Sequence, residues 1–276
     1  HGMGQHRAEG FDLCATNHCQ IYAGQGDDDT RAYQAVRETQ GMVLTWQGQL
    51  ITAPFHFSSG GYTENGDELW PEGRAYLRGV PDHDQTSPYF HWQKKLSPPE
   101  LDKLLNDAGY DVGGLSAIEL SRRKSAPMTA QDRGVSGRIH NIIFIGKTGV
   151  VTLTGEKFRE LLSLSSALVD LTVAVTVGDI SSNITDSYGE MDTKQIEIKL
   201  PPENPGGLLN DRADIQRITG RQNEMVYLDG YGWGHGVGLS LWGAKAMAEK
   251  AINPGANYYI TILKYYYQGV SIDKWY

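Results

Sequence analysis

The sequence has 276 residues, of which 39% are hydrophobic and 21% are charged, and its formal net charge at pH 7 is -8. This composition is typical of a globular protein whose chain can bury a substantial core, as one large domain or two modest ones. The acidic balance disfavours a long contact with nucleic acid phosphates, which needs clustered lysine and arginine. It is compatible with a neutral sugar polymer.

No stretch of the sequence approaches the roughly 20 apolar residues that a membrane-spanning helix needs. No basic segment followed by an apolar one opens the chain, as a secretory leader would. Because the sequence starts at His1 without a methionine, we expect a piece of a longer protein, with room for an anchor or an export signal upstream.

The first part of the chain predicts short helices and a hairpin. An irregular start rich in glycine and histidine (1–26) precedes a short amphipathic helix over 29–39. Two β-type runs at 42–46 and 49–53 flank a Gln-Gly turn and predict a hairpin. A capping box with two prolines at 97–100 begins a second helix, which carries a leucine stripe.

The rest of the chain predicts further strands. The predicted elements are strands at 139–145, 150–153, 169–177 and 224–228, a short helix capped by Thr154, and helices at 240–250 and 258–267. Because the strands come in hairpins rather than alternating with helices, we predict an α+β fold with an antiparallel β-rich core. The predicted parts are a first core part (1–95), an accessory α+β subdomain (96–200) and a C-terminal core part (201–276), which opens with a proline-rich, linker-like stretch.

The first segment that carries chemistry is 58–64 (SSGGYTE), directly after the strand-like residues 55–57. Two glycines let the backbone approach a ligand closely, and the serine, tyrosine and threonine hydroxyls can bond sugar hydroxyls. The Tyr62 ring can also lie flat against a sugar. The alternative is a plain surface turn, since Ser-Gly-Gly is common turn chemistry.

The second segment is 231–238 (YGWGHGVG), in which glycine occupies every second position around one tryptophan and His235. This pattern predicts a tight loop that exposes an imidazole at a strand-to-helix junction, close to the N–H groups that a helix start leaves unpaired. The alternative is a structural corner in which His235 bonds the backbone. The glycine spacing differs from that of dinucleotide-binding loops.

The third segment is 14–19 (CATNHC), which holds the two cysteines of the chain. Two thiolates and one or two imidazoles can complete a tetrahedral zinc site, and four protein ligands would make it a loop staple rather than a catalyst. The spacing between the cysteines is looser than in common zinc knuckles. A local disulfide and two free thiols are the alternatives, and two cysteines make no disulfide scaffold.

In this order, these segments and several others resemble the stage II sporulation protein D family over nearly the whole chain. The two glycine-rich motifs are specific in combination. The matching stretches are FDLC at 11–14, HCQIY at 18–22, SSGGYTE at 58–64, AYLRGV at 75–80, SPYFHW at 87–92, TLTGEKFR at 152–159, GHGVG at 234–238, WGA at 242–244 and YYQGV at 266–270.

The resemblance implies a peptidoglycan lytic transglycosylase that acts on glycan strands already stripped of their peptides. One carboxylic acid protonates the glycosidic oxygen, so its pKa must be raised to keep it protonated near neutral pH. The sugar's own C6 hydroxyl then attacks the anomeric carbon and leaves an anhydro-muramic end. The resemblance also implies action in spore engulfment, in the space between the two membranes, by a parent protein anchored to the mother-cell membrane. The implied partner is the amidase that strips the peptides.

The chain departs from the family pattern at the catalytic acid. The family's glutamate lies in a Glu-Met-Pro-like segment before the cysteine motif, and nothing between His1 and Cys14 matches it. We therefore expect the acid upstream of this chain, or a catalytically incomplete piece. Glu64 is the only carboxylate in the two glycine-rich motifs, and a turn-exposed glutamate without an apolar pocket is a weak candidate. Leu241 stands where the family usually has glutamine.

The expected site residues come partly from motif position and partly from side-chain chemistry. Motif position implies Thr63 and Arg78 in the glycan groove. Chemistry adds Ser59, Gly60, Gly61, Tyr62 and His235. The resemblance to clostridial-type members implies zinc bound by Cys14, His18, Cys19 and His6. Three histidines in strand-like or aromatic contexts are expected to be scaffold residues: His56, His91 and His140.

Two other functions stay open. A non-catalytic enhancer of an amidase would share these motifs and bind glycan without cleaving it. The other is a zinc hydrolase at the cysteine loop. Chelation would distinguish it from a structural zinc site, because removing a structural metal lowers stability before it lowers activity. The enzymatic interpretation requires that the turn near residue 60 and the loop near residue 235 line one sugar-sized groove.

Overall fold

A computed structural model describes most of the chain. The described residues are 6–15, 30–70, 73–176, 197–199, 214–253, 255 and 257–276. The chain divides into two compact units, a smaller one of His1–Ala53 with Gly269–Tyr276 and a larger one of Pro54–Gln268.

The described elements are short helices and mostly short strands. The helices are α1 (Thr30–Glu38), α2 (Pro98–Asp107), α3 (Gly155–Leu161), α4 (Leu241–Lys250) and α5 (Tyr258–Tyr266). The strands are β1 (Met42–Trp46), β2 (Gln49–Leu50), β3 (Phe55–His56), β4 (His91–Leu96), β5 (Leu115–Leu120), β6 (Asn141–Gly146), β7 (Val150–Thr154), β8 (Val169–Thr176), β9 (Glu197–Lys199), β10 (Asp214–Arg217), β11 (Glu224–Tyr231), β12 (Leu239–Ser240) and β13 (Ser271–Lys274). In the part of the chain that is described, no helix combines the length and the apolar character needed to cross a bilayer.

The smaller unit is built on a three-stranded antiparallel sheet in the order β13–β1–β2. Met42 of β1 lies opposite Lys274 of β13, so the first and the last described strands are paired. The buried Thr45 hydroxyl donates a hydrogen bond to the Asp273 carboxylate across this pair. The predicted helix at 29–39 and the predicted hairpin are confirmed as α1 and as β1 with β2.

The larger unit contains two four-stranded antiparallel sheets. Their strand orders are β10–β5–β6–β7 and β4–β11–β8–β9, and the short strands β3 and β12 add a parallel pair. Burial alternates along all eight residues of β11, as expected for a strand with one face in the core. The predicted α+β class with antiparallel pairing is confirmed.

One hydrophobic cluster joins both large sheets to α2 and α3. Leu101 and Leu105 of α2, Phe144 of β6 and Phe158 of α3 are completely buried in it. Burying a side chain of this size contributes about 1.5–3 kcal/mol. The loops that connect these elements are therefore attached to a rigid base.

Two helices begin with the capping chemistry that the sequence predicts. The Ser97 Oγ accepts a hydrogen bond from the Glu100 N–H (3.4 Å), and the Glu100 carboxylate accepts one from the Ser97 N–H (2.7 Å). The Thr154 Oγ1 accepts a hydrogen bond from the Lys157 N–H (3.3 Å) at the start of α3. These bonds fix where each helix begins.

Six described strands were not predicted: β4, β5, β9, β10, β12 and β13. Most side chains of β4 are exposed or half-buried and many are polar, so no apolar pattern marks it, yet all six of its residues pair with β11. The predicted boundaries at 95 and 200 do not coincide with the two units. The reason is that β5 pairs with β10 and β8 pairs with β11, which join the predicted accessory subdomain to the C-terminal part.

Candidate functional site

The turn at 58–64 is organised by a buried carboxylate. Asp84 is completely buried and accepts hydrogen bonds from the Ser58 Oγ (2.5 Å) and from the N–H groups of Gly60 and Gly61 (2.9 Å each). A buried charge needs such donors. Gly60 has a φ of +77°, and a Cβ there would lie 2.7 Å from the Leu168 side chain, so the position requires glycine.

A second buried carboxylate, Asp82, supports the same turn. It accepts hydrogen bonds from the Ser59 Oγ (2.7 Å) and from the Tyr266 hydroxyl (2.7 Å). Burial raises the pKa of Asp82, the Ser59 hydroxyl opposes this, and the nearby Asp84 charge adds to it. Ser59 is completely buried, so its expected role as a groove hydroxyl is corrected: it positions the turn from inside.

The loop at 232–238 lies directly against this turn. The Trp233 N–H donates to the Ser58 carbonyl (2.8 Å), and the Ser58 N–H donates back to the Trp233 carbonyl (3.2 Å). Further along, the Glu64 N–H donates to the Gly236 carbonyl (2.8 Å). Backbone bonds near both ends of the turn thus bring the two glycine-rich segments together.

His235 is a neutral, partly buried imidazole on this loop. Its Nδ1 accepts a hydrogen bond from the Val237 N–H (3.1 Å), which places the ring proton on Nε2. Burial and the nearby Arg138 charge lower the pKa of His235 to about 4, against a hydrogen bond to the Phe55 backbone that raises it. The ring is therefore uncharged near neutral pH and can act on a ligand only as a neutral group.

Arg138 is a buried cation between the turn and the loop, with 4% of its surface exposed. It donates hydrogen bonds to the carbonyls of Ser59 (2.8 Å) and Tyr62 (3.3 Å) and to the Ser136 Oγ (3.0 Å). Burial lowers its pKa to about 10, so it stays charged. At Gly236, where φ is +84°, a Cβ would lie 2.1 Å from the Arg138 Cζ, so the loop must have glycine there.

Glu64 is 2% exposed, and the expectation of a turn-exposed glutamate is wrong. Burial raises its pKa, whereas the bond from Ser136 and the Arg138 charge lower it. One carboxylate oxygen accepts from the N–H groups of Asn65 (2.8 Å) and Val135 (3.1 Å), and the other from the Ser136 N–H (3.2 Å) and Oγ (2.6 Å). Because four donors occupy it, the carboxylate acts mainly as a link between the turn and 134–138.

A cavity of about 180 Å³ opens beside these residues. Its charged and imidazole lining residues are Glu64, Glu68, Arg138, His140, Glu156 and His235. His140 pairs with Glu68, with 2.7 Å between Nδ1 and Oε2. Three carboxyl groups against one guanidinium disfavour an anion, and the mixture of donors and acceptors suits a neutral ligand rich in hydroxyl or amide groups.

Known proteins resemble this chain over most of its length. A family model described as "Stage II sporulation protein" matches residues 2–46. The amidase enhancer of Bacillus subtilis (strain 168) is 27% identical over 269 residues, which cover 93% of this chain and 34% of that protein. Stage II sporulation protein D of the same strain is 28% identical over 241 residues, which cover 87% of this chain and 50% of that protein. The chain is therefore similar to the stage II sporulation protein D family.

The chain spans between a third and a half of the length of those relatives. Stage II sporulation protein D of Bacillus amyloliquefaciens shows the same coverage, with 27% identity over 241 residues, or 50% of its length. The similarity therefore includes both glycine-rich segments of the larger unit.

The predicted groove residues and the weak acid candidate Glu64 divide into three groups. His235 and Glu64 line the cavity, and Gly60 and Gly61 shape the turn beside it. Tyr62 is half-buried beside Pro81, while Thr63 is buried with its Oγ1 accepting from the Val80 N–H (2.8 Å). Arg78 does not line the cavity and instead pairs at the surface with Asp67 (2.8 Å).

The predicted zinc ligands fall on the smaller unit. His18 and Cys19 lie outside the described residues. The His6 Nδ1 forms a hydrogen bond with the Glu9 carboxylate (2.9 Å). Desolvation lowers the pKa of His6, but hydrogen bonds with Glu9 and Cys14 outweigh it, so the pKa is raised overall. His6 and Cys14 are thus close enough to share a ligand set. Within the described ranges, no three histidine, cysteine or acidic residues cluster as a metal site, and zinc stays a prediction.

Four of the charged and imidazole residues of the cavity were not expected there from the sequence: Glu68, Arg138, His140 and Glu156. Arg138 belongs to no glycine-rich motif, and the one available signal was glycine at 236, which indicates that a bulky group presses against the loop. His140 was expected to be a scaffold residue, but it lines the cavity next to Glu68. His140 and Glu68 are 72 positions apart in the chain, so no local sequence pattern indicates that they meet.

Proposed function

We propose that this chain forms the glycan-binding part of a peptidoglycan lytic transglycosylase of sporulation, which cleaves peptide-stripped strands and leaves anhydro-muramic ends. The observation that carries the proposal is the union of the turn at 58–64 with the loop at 232–238, where Glu64 and His235 line one cavity. A binding site assembled from rigid, hydrogen-bonded loops meets its ligand with little loss of conformational freedom.

The charges of the cavity support a glycan rather than an anionic ligand. His235 is neutral, and the buried Arg138 is matched by the surrounding carboxylates. Sugar hydroxyl and acetamido groups both donate and accept hydrogen bonds, and the lining offers carboxylates, imidazoles and backbone groups for both roles. The net charge of the chain does not oppose a neutral polymer.

In the proposed reaction, a carboxylic acid donates its proton to the glycosidic oxygen as the bond from the anomeric carbon to that oxygen breaks. The C6 hydroxyl of the same sugar attacks the anomeric carbon and returns its proton to the carboxylate. Glu64 is a poor candidate for this acid because its oxygens already accept four hydrogen bonds. We therefore assign the acid to a glutamate upstream of this chain, and this chain to binding and orienting the strand.

The test is digestion of peptide-stripped glycan strands by the full-length protein, with the products analysed by mass spectrometry. We expect anhydro-muramic ends from the wild-type protein and a strongly reduced rate from His235→Ala. Lys103→Ala, which changes an exposed residue of α2, is the control and should keep the wild-type rate. Strand binding without any anhydro-muramic product would reject the enzymatic part of the proposal.

A second candidate function is favoured by one comparison. The relative named amidase enhancer matches 93% of this chain, so the same cavity would serve a non-catalytic protein that presents glycan to a cell-wall amidase. The two functions differ in a mixed assay. An enhancer raises the rate of peptide release by the purified amidase and produces no anhydro-muramic ends, whereas a transglycosylase produces them without the amidase.

The location follows the same proposal. We place the parent protein outside the cytoplasm, in the space between the two membranes of the sporulating cell, anchored to the mother-cell membrane and acting with the amidase that strips the peptides. Fractionation of sporulating cells, with protease protection of the full-length protein, tests this location. Recovery of the protein only in the cytosolic fraction would contradict it.

A further inference from the structure

Three exposed aromatic side chains contact one another beside the glycine-rich loop. Phe57, Tyr89 and Trp233 are 46%, 37% and 42% exposed, and we call them the aromatic cluster. The ring centroids of Tyr89 and Trp233 are 4.5 Å apart, and Phe57 lies 5.9 Å from each of them. Single exposed apolar residues are common, but a contiguous group of large rings marks a binding surface.

The backbone under each ring of the cluster is held by hydrogen bonds. The Phe57 carbonyl accepts from the Trp242 N–H (3.1 Å), and the Tyr89 N–H donates to the Ser87 Oγ (3.1 Å). Trp233 exchanges two backbone bonds with Ser58. The rings are therefore presented in a fixed arrangement, so a ligand that stacks on them does not have to order them first.

The cluster is continuous with the cavity. Trp233 and His235 are two positions apart on the loop, and the residue between them, Gly234, lines the cavity. The N–H of Gly234 is fixed to the Ser165 carbonyl (2.9 Å). Trp70 also contacts the His235 imidazole, with 5.9 Å between ring centroids. One extended ligand can therefore contact the apolar cluster and the polar cavity together.

We propose that the aromatic cluster is a separate sugar subsite, on which one pyranose ring of a glycan strand stacks while a neighbouring residue of the strand enters the cavity. A pyranose has a face of C–H groups and a rim of hydroxyls, which match an aromatic surface beside a polar cavity. This inference rests on the proposed function, because it names how that same glycan is held.

The polar surroundings favour a sugar over an apolar protein partner. Two positions after Tyr89 in the chain, His91 pairs with Asp229 at the surface (2.7 Å), and Asp229 also accepts from Gln93 (3.0 Å). Hydrogen-bonding groups thus follow Tyr89 closely in the chain, in addition to those that line the cavity. A sugar ring can use the rings and these groups at once, whereas an apolar side chain uses only the rings.

The test measures binding of peptide-stripped glycan strands and of N-acetylglucosamine oligomers to the full-length protein by calorimetry. Trp233→Ala should weaken strand binding about tenfold, in line with the loss of one aromatic stacking contact. Trp233→Phe keeps an aromatic face and should lose less. Trp275→Ala removes another exposed tryptophan (51%) from the smaller unit and should bind as the wild type does.

Thermal unfolding shows whether each variant is folded, and Tyr89→Ala replaces Trp233→Ala if the latter is not. Wild-type affinity in the folded cluster variants would overturn the subsite while leaving the proposed function intact, provided that His235→Ala still weakens binding. Loss of amidase stimulation without loss of strand affinity would overturn it in favour of a protein-binding surface. If the wild-type protein binds neither strands nor oligomers, the proposed function itself fails.

Discussion

The packing of Arg138 against the glycine-rich loop gives a sharp prediction for Gly236→Ala. The Cβ of alanine would lie 2.1 Å from the Arg138 Cζ and 2.4 Å from its Nε, far inside the 3.5–4.0 Å at which heavy atoms normally rest. The alanine must also adopt a φ of +84°. The change therefore combines backbone strain with displacement of a buried cation.

The two effects can be given rough sizes. A left-handed conformation costs a residue with a Cβ about 1–2 kcal/mol. Arg138 donates to the carbonyls of Ser59 and Tyr62 and to Ser136, and losing one hydrogen bond of a charged group costs about 1.5–3 kcal/mol. We expect Gly236→Ala to lower the free energy of unfolding of the larger unit by about 2.5–5 kcal/mol.

Gly61→Ala is the matched control. Gly61 has a φ of +103°, but a Cβ there would meet no atom within 4 Å. This variant should show the backbone strain alone, about 1–2 kcal/mol. Urea unfolding of both variants, followed by tryptophan fluorescence, measures the difference, and glycan binding of Gly236→Ala should weaken as Arg138 moves. Equal destabilisation of the two variants would refute the packing argument.

Three further predictions concern buried charge and metal. Acidification from pH 6.5 to about 4 should lower the free energy of unfolding of the wild type by roughly 2–3 kcal/mol more than that of His235→Gln. The reason is that the unfolded chain binds a proton on this imidazole between these pH values and the folded protein does not. Urea unfolding at both pH values measures the difference, and equal pH dependence of the two proteins would contradict the prediction. Asp84→Asn replaces one of two acceptor oxygens with an amide N–H donor, which then faces either the Gly61 N–H or the Ser58 and Gly60 donors, and should lower stability by about 2–3 kcal/mol, whereas Asp107→Asn at the surface should change it little. If zinc staples the smaller unit, chelation should lower the melting temperature of the wild type but not of Cys14→Ser, and metal analysis without zinc would end that idea.

Local features of this protein follow from the sequence alone. The capping box at Ser97, the cap at Thr154 and the hairpin of β1 and β2 each depend on residues within a few positions of one another. The pairing of strands in hairpins likewise predicts the α+β class. The two glycine-rich motifs identify the segments that form the site, because their backbone conformations require glycine.

Tertiary structure decided which side chains of these segments face a ligand and which support the fold. In the sequence, Ser59 and Glu64 look like exposed turn residues. In the structure both are buried: Ser59 donates a hydrogen bond to Asp82, and Glu64 accepts one from Ser136, which lies 72 positions away. The Tyr266 hydroxyl that completes the Asp82 site is 184 positions away. Burial, pKa and side-chain direction depend on such distant neighbours, which local residue patterns do not encode.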